Sequence, residues 1–75
     1  MVYVAFDETS KLVGFGLASL KKDLIIEYCY GQIDELYVVP EYRRRKTGQA
    51  IAEKLSDWLH SQEASPIYVS RSVAL

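Results

Sequence analysis

The chain predicts a mixed α/β (α+β) fold: a mostly antiparallel sheet of four to five strands with one main helix. Three features carry that expectation. β-prone apolar runs, broken by polar or glycine-containing stretches, fill the first forty residues. From Thr47 or Gly48 to Gln62 the apolar residues Ile51, Ala52, Leu55, Trp58 and Leu59 recur at helical spacing. A short β-prone run, Ile67-Tyr68-Val69, then follows the break at Ala64-Ser65-Pro66.

In chain order, Val2-Tyr3-Val4-Ala5-Phe6 reads as a strand and 7–11 as its polar turn. Residues 12–20 resume as the second strand, so 2–21 forms an antiparallel hairpin. Gly14 and Gly16 mark either a bulge or room for a large neighbour. Lys21-Lys22-Asp23 reads as a charged break. Residues 24–30 are β-prone, and either hold a loop with a short strand or start the strand that follows, with Gly31 as a candidate kink. The central strand is 32–39. Strict alternation puts Ile33, Glu35 and Tyr37 on one face and Asp34, Leu36 and Val38 on the other. Pro40 cannot donate to a ladder, so the strand ends there or lies at an open edge. The last strand, 66–70, is expected to run parallel to the central one through a right-handed crossover. Trp58 falls on the core side of the helix. Gln49, Glu53, Asp57 and His60 fall on its polar side.

Seventy-five residues allow one small domain. The net charge of −1 makes the basic run Arg43-Arg44-Arg45-Lys46 a local feature of a balanced chain, against a general nucleic-acid binder. No apolar run approaches the ~20 residues of a membrane span, and no signal-peptide pattern opens the chain. Cys29 is the only cysteine and His60 the only histidine, so neither an internal disulfide nor a zinc site can be built. The expectation is a reduced, cytoplasmic protein with no metal, no nucleic acid and no membrane partner.

The chemistry concentrates after the central strand. A strand, a basic turn and a helix N-terminus with Gly48 make an anion site. The first helical N–H groups lack internal partners, and the helix dipole favours negative charge there. Gly48 has no side chain to hold a phosphate away, and the four cations attract it from a distance.

Arg45-Lys46-Thr47-Gly48-Gln49-Ala50 fits the pattern Q/R-x-x-G-x-G/A. The preceding Leu36-Tyr37-Val38-Val39-Pro40-Glu41-Tyr42-Arg43 fits L-x-V-x-P-x-[YH]-R. Together they resemble the acetyl-coenzyme A motif of the GNAT superfamily of N-acetyltransferases and the strand that leads into it. The resemblance runs from about Val2 to Ser70 and implies the central part of that fold. It implies that coenzyme A is held by Arg43, Arg44, Arg45, Lys46, Thr47, Gly48, Gln49 and Ala50, with the turn amides of 45–50 on its pyrophosphate. Backbone at Leu36, Tyr37, Val38 and Val39 would pair with the pantetheine arm as an added strand, and the Val38 amide would be the oxyanion donor.

Acetyl transfer to an amine needs a base for the amine and a donor for the tetrahedral oxyanion. Asp34 and Glu35 are the carboxylates within the central strand. Glu35, just before Leu36, is favoured as the base. The structural alternative is that it binds a cationic substrate or pairs with the arginines. Full members of the family carry a strand and two helices before the hairpin, and a helix and two strands after the fifth strand. The resemblance thus implies a truncated fold without the usual general acid. Two functions follow: an acetyltransferase, or its core, acting on a small-molecule or protein amine; or a non-catalytic, coenzyme A-binding or dimerising fragment. One helix covers one face of such a sheet, so a homodimer is expected.

Overall fold

The computed structural model describes residues 1–70; residues 71–75, the end of the expected single domain, lie outside the described residues. Strands β1 (Val2–Phe6), β2 (Leu12–Asp23) and β3 (Tyr28–Val38) precede helix α1 (Thr47–Ser61) and strand β4 (Ile67–Val69). They form one sheet in the order β1-β2-β3-β4. The first two pairings are antiparallel and the last is parallel. A mixed, mostly antiparallel sheet with one α-helix is therefore what the described residues form.

The helix packs on one face. Ile51, Leu55 and Leu59, spaced four residues apart on one stripe, are buried almost completely against Ala18, Ile33, Leu36 and Val38. Burying side chains of this size contributes about 1.5–3 kcal/mol each. Ala52 and Trp58 pack at the edge of this core, as their spacing predicts. Glycines admit the helix this closely. A Cβ on Gly16 would lie 2.7 Å from Leu55 Cδ1, and one on Gly31 would lie 2.8 Å from Leu59 Cδ2. At Gly14 the obstruction is backbone: a Cβ would meet the Tyr37 carbonyl oxygen at 2.7 Å. Gly14 and Gly16 thus make room for a neighbour. The β1–β2 register shift lies opposite the Ala5–Phe6 step, where Gly14 pairs with Ala5 but Leu12 with Phe6, so the extra residue is Val13.

Three local expectations are corrected. Lys21-Lys22-Asp23 continues β2, pairing with Tyr30, Cys29 and Tyr28. The reversal comes at 24–27, where Asp23 Oδ1 accepts from the amides of Ile25 and Ile26 and Glu27 takes a left-handed φ of 52°. Consequently β3 begins at Tyr28 rather than Gln32. The third correction bears on the site. The β2–β3 register shifts between Leu17, opposite Glu35, and Ala18, opposite Ile33. Asp34 is the inserted residue of a bulge, which resets the alternation. Ile33, Leu36 and Val38 all face the helix and are buried. Asp34 and Glu35 share the opposite face, not opposite faces.

That second face has no helix on it among the described residues. Val2, Val4 and Phe6 lie on it in β1, with Phe15 and Leu17 beside them in β2. Among the described residues, no helix is long and apolar enough to cross a membrane.

Candidate coenzyme cleft

Beyond the bulge, β3 runs on without β4. Pairing with β4 covers only Gly31, Gln32 and Ile33, and Ser70 N–H closes it on the Ile33 carbonyl at 3.0 Å. Among the described residues, the far edge of β3 therefore opens past Ile33. Which groups face that opening follows from the β2 ladder. Val39 N–H donates to the Val13 carbonyl at 2.9 Å, which makes that pair a hydrogen-bonded one. Antiparallel ladders alternate, so Tyr37 and Glu35 also direct their amides and carbonyls toward β2. Leu36 and Val38 direct theirs toward the opening.

The chain leaves β3 through a single 3-10 turn, Pro40–Tyr42. Arg44 and Lys46 then adopt left-handed φ values of 65° and 62°. Such backbone costs a residue with a Cβ about 1–2 kcal/mol, and no glycine takes this conformation. Gly48 sits in the first turn of α1 and needs no glycine φ. Lys46 stands at the N-cap of α1 without a side-chain cap. The first helical hydrogen bond runs from Ala50 N–H to the Lys46 carbonyl, 3.0 Å. Thr47, Gly48 and Gln49 therefore hold the amides without an intrahelical acceptor.

These features converge on one cleft of about 520 Å³. Leu36, Tyr37 and Val38 form its strand wall, Arg43, Arg44 and Lys46 its cationic rim, and Thr47, Gly48 and Gln49 its helical end. Nine of the twelve residues expected at the coenzyme are thus brought together. The other three lie elsewhere. Val39 points its amide at β2, and Ala50 spends its amide inside the helix. Arg45 lines a separate cleft of about 480 Å³ with Phe6, Asp7, Glu8, Thr9 and Tyr42.

Two cations are tied back to the protein. Arg43 Nε–H donates to the Val38 carbonyl at 2.9 Å, with its guanidinium 5.6 Å from the centroid of Tyr37. The Arg45 guanidinium lies 5.2 Å from the centroid of Tyr42, a cation–π distance. The Tyr42 hydroxyl donates to Asp7 Oδ2 at 3.1 Å. Asp7 Oδ1 accepts from Thr9 N–H at 2.8 Å, Thr9 Oγ1–H at 2.7 Å and Lys11 N–H at 2.9 Å. The Thr9 hydroxyl foremost, with the Lys11 and Thr9 amides and Tyr42, holds the Asp7 carboxyl down at about 2. The same hydrogen bond to Asp7 raises the Tyr42 hydroxyl. A depressed carboxylate contributes fully above its unfolded value of 3.8 and loses that contribution as pH falls through about 2. The contact is intact throughout the neutral range.

On the bare face, Ser19 Oγ–H donates to Asp34 Oδ2 at 2.6 Å. Glu35 stands beside it, exposed, one residue before the cleft opens at Leu36. Ser19 and Asp7 had no sequence signal as site residues, and Tyr42 was marked only as the [YH] position of the motif. Ser19 and Asp34 are brought together by strand register, Asp7 and Tyr42 by tertiary packing.

The fold has counterparts among solved structures. An acetyltransferase from Vibrio fischeri superposes with a TM-score of 0.87 at 26% identity, over 97% of this chain and 60% of that one. Glucosamine-6-phosphate N-acetyltransferase from Arabidopsis thaliana gives 0.83 at 24% identity, over 92% and 48%. Ribosomal-protein-alanine N-acetyltransferase from Brucella melitensis gives 0.78 at 22%, over 92% and 49%. The chain thus spans about half to three-fifths of these structures. No curated protein matches it in sequence. The model of the acetyltransferase (GNAT) family matches residues 1–74, and the chain belongs to that family.

Proposed function

We propose that the chain binds acetyl-coenzyme A in the cleft between β3 and α1 and is the core of an N-acetyltransferase acting on an amine. One observation carries this reading: the open edge of β3 at Leu36 and Val38 leads directly to the unpaired amides of 47–49. An extended pantetheine arm pairs with such an edge as an added strand does. The pyrophosphate then meets amides, the helix dipole, Arg44 and Lys46. By the family resemblance the Val38 amide is the candidate oxyanion donor in this reading. Glu35 is the base, directly or through water, with Asp34 engaged by Ser19. The acceptor is a small-molecule or protein amine, and the lone thiol Cys29 suits a reduced, cytoplasmic setting. Release of free thiol from acetyl-coenzyme A, assayed across a panel of amines, tests the reading. Amine-dependent release supports it, and none with any amine contradicts catalysis.

A second reading has its own observation. Among the described residues no helix covers the face that carries Asp34 and Glu35. A chain that binds the coenzyme without turnover fits that geometry. Coenzyme binding without thiol release would select it.

A further inference from the structure

We infer that Asp7 and Tyr42 are positioning residues for the anion turn: the β1–β2 turn holds the 43–49 segment in its binding shape through the Tyr42–Asp7 hydrogen bond. The inference rests on the coenzyme reading above and adds residues that lie outside the coenzyme cleft. The segment has little to hold it locally. It contains two left-handed residues, Arg44 and Lys46, and its helix starts without a side-chain cap. Strained backbone of this kind persists where the surroundings over-determine it. At its entry the backbone is fixed by Tyr42 N–H to the Val39 carbonyl at 3.0 Å and Arg43 N–H to the Pro40 carbonyl at 3.3 Å. Both are short-range. The Tyr42–Asp7 bond spans 35 residues and ties the turn to the far side of the sheet.

Asp7 is suited to that task. Three donors from its own turn fix its carboxylate before Tyr42 arrives, so little freedom is lost in making the fourth bond. Tyr42 passes the restraint on. Its hydroxyl is held, its ring is therefore held, and Arg45 lies on that ring. Arg45 is thereby drawn into the second cleft, next to Asp7 and Glu8, and its side chain stays clear of the anion site. The arrangement divides the basic run: Arg44 and Lys46 face the ligand, and Arg45 braces the turn.

Tyr42→Phe keeps the ring and removes the bond to Asp7. Asp7→Asn keeps a residue that forms the same local turn and removes the charge. Both are measured by titration with coenzyme A and by NMR order parameters of the backbone amides. In each variant, coenzyme A is expected to bind about five- to tenfold more weakly, as for loss of a hydrogen bond to a charged group. Order parameters at 43–49 are expected to fall from about 0.85 toward 0.6, with β2 and β3 unchanged. A purely structural tie would lower the melting temperature and leave both readouts alone in the folded protein. Wild-type affinity in both variants overturns the inference. If wild type itself binds no coenzyme A, the functional reading fails. The order parameters still decide: unchanged values at 43–49 overturn the positioning role, and a local fall sustains it.

Discussion

Arg43 folds back onto the strand it follows, donating from Nε to the Val38 carbonyl at 2.9 Å while its guanidinium covers the ring of Tyr37. Of the backbone groups that Leu36 and Val38 direct toward the opening, this one is already taken. An extended ligand added to β3 finds the Leu36 amide and carbonyl and the Val38 amide, and then meets the guanidinium. If coenzyme A binds as proposed, Arg43 marks where strand-like pairing stops and the phosphate region begins. Arg43→Lys keeps the charge but loses the planar donor and the stack. Coenzyme A affinity is expected to fall about five- to tenfold, with the fold intact by circular dichroism. Unchanged affinity would remove Arg43 from the site.

Glu35 and Asp34 share one face, so the choice of base is made by their partners rather than by orientation. Asp34 accepts a short hydrogen bond from Ser19. If the chain turns over, Glu35→Gln is expected to lower the rate about 10²–10⁴-fold, most at low pH where base assistance is needed. Asp34→Asn is expected to cost less. An unchanged rate in Glu35→Gln with a large loss in Asp34→Asn would reverse the assignment.

The helix-facing glycines predict a ranking of stability. At Gly31 an added Cβ meets the tips of Leu59, which can shift. At Gly14 it meets the Tyr37 carbonyl, which cannot shift without moving β3. Gly14→Ala is expected to destabilise by about 2–3 kcal/mol and Gly31→Ala by about 1 kcal/mol. Thermal denaturation checks this, each kcal/mol lowering the midpoint by about 4–8 °C in a domain of this size. The reverse order would show that β3 yields more easily than the core.

The 75-residue chain by itself is expected to form a homodimer. Val2 and Phe6 are 62% and 60% exposed on a sheet face with no helix on it among the described residues. A second copy would cover that face by a two-fold contact. Light scattering on a size-exclusion column reads the mass directly. A well-folded species of 8.6 kDa at micromolar concentration would contradict the expectation.

What was legible in the sequence divides by range. The helix was readable because Ile51, Leu55 and Leu59 share a stripe whose spacing is local. The strand, turn and helix around Gly48 were readable because they follow each other without interruption. The faces of β3 were misread because strict alternation leaves no place for the extra residue that the bulge inserts at Asp34. Lys21-Lys22-Asp23 was misread because a strand end in solvent carries the same residues as a turn. Asp7–Tyr42 was invisible, since nothing in either segment specifies a partner 35 residues away. Arg45 lines the second cleft, on the ring of Tyr42, and that placement was equally out of reach of the sequence.

The central claim is that the amides at the start of α1 hold the pyrophosphate of coenzyme A, and Gly48 tests it most directly. Gly48→Val puts a branched side chain where the phosphate must approach the backbone, in a helical turn that does not require glycine φ. Isothermal titration with coenzyme A is expected to give measurable binding by wild type and at least tenfold weaker binding, about 1.4 kcal/mol, by the variant. Coenzyme A binding no tighter to wild type than to Gly48→Val would contradict the account.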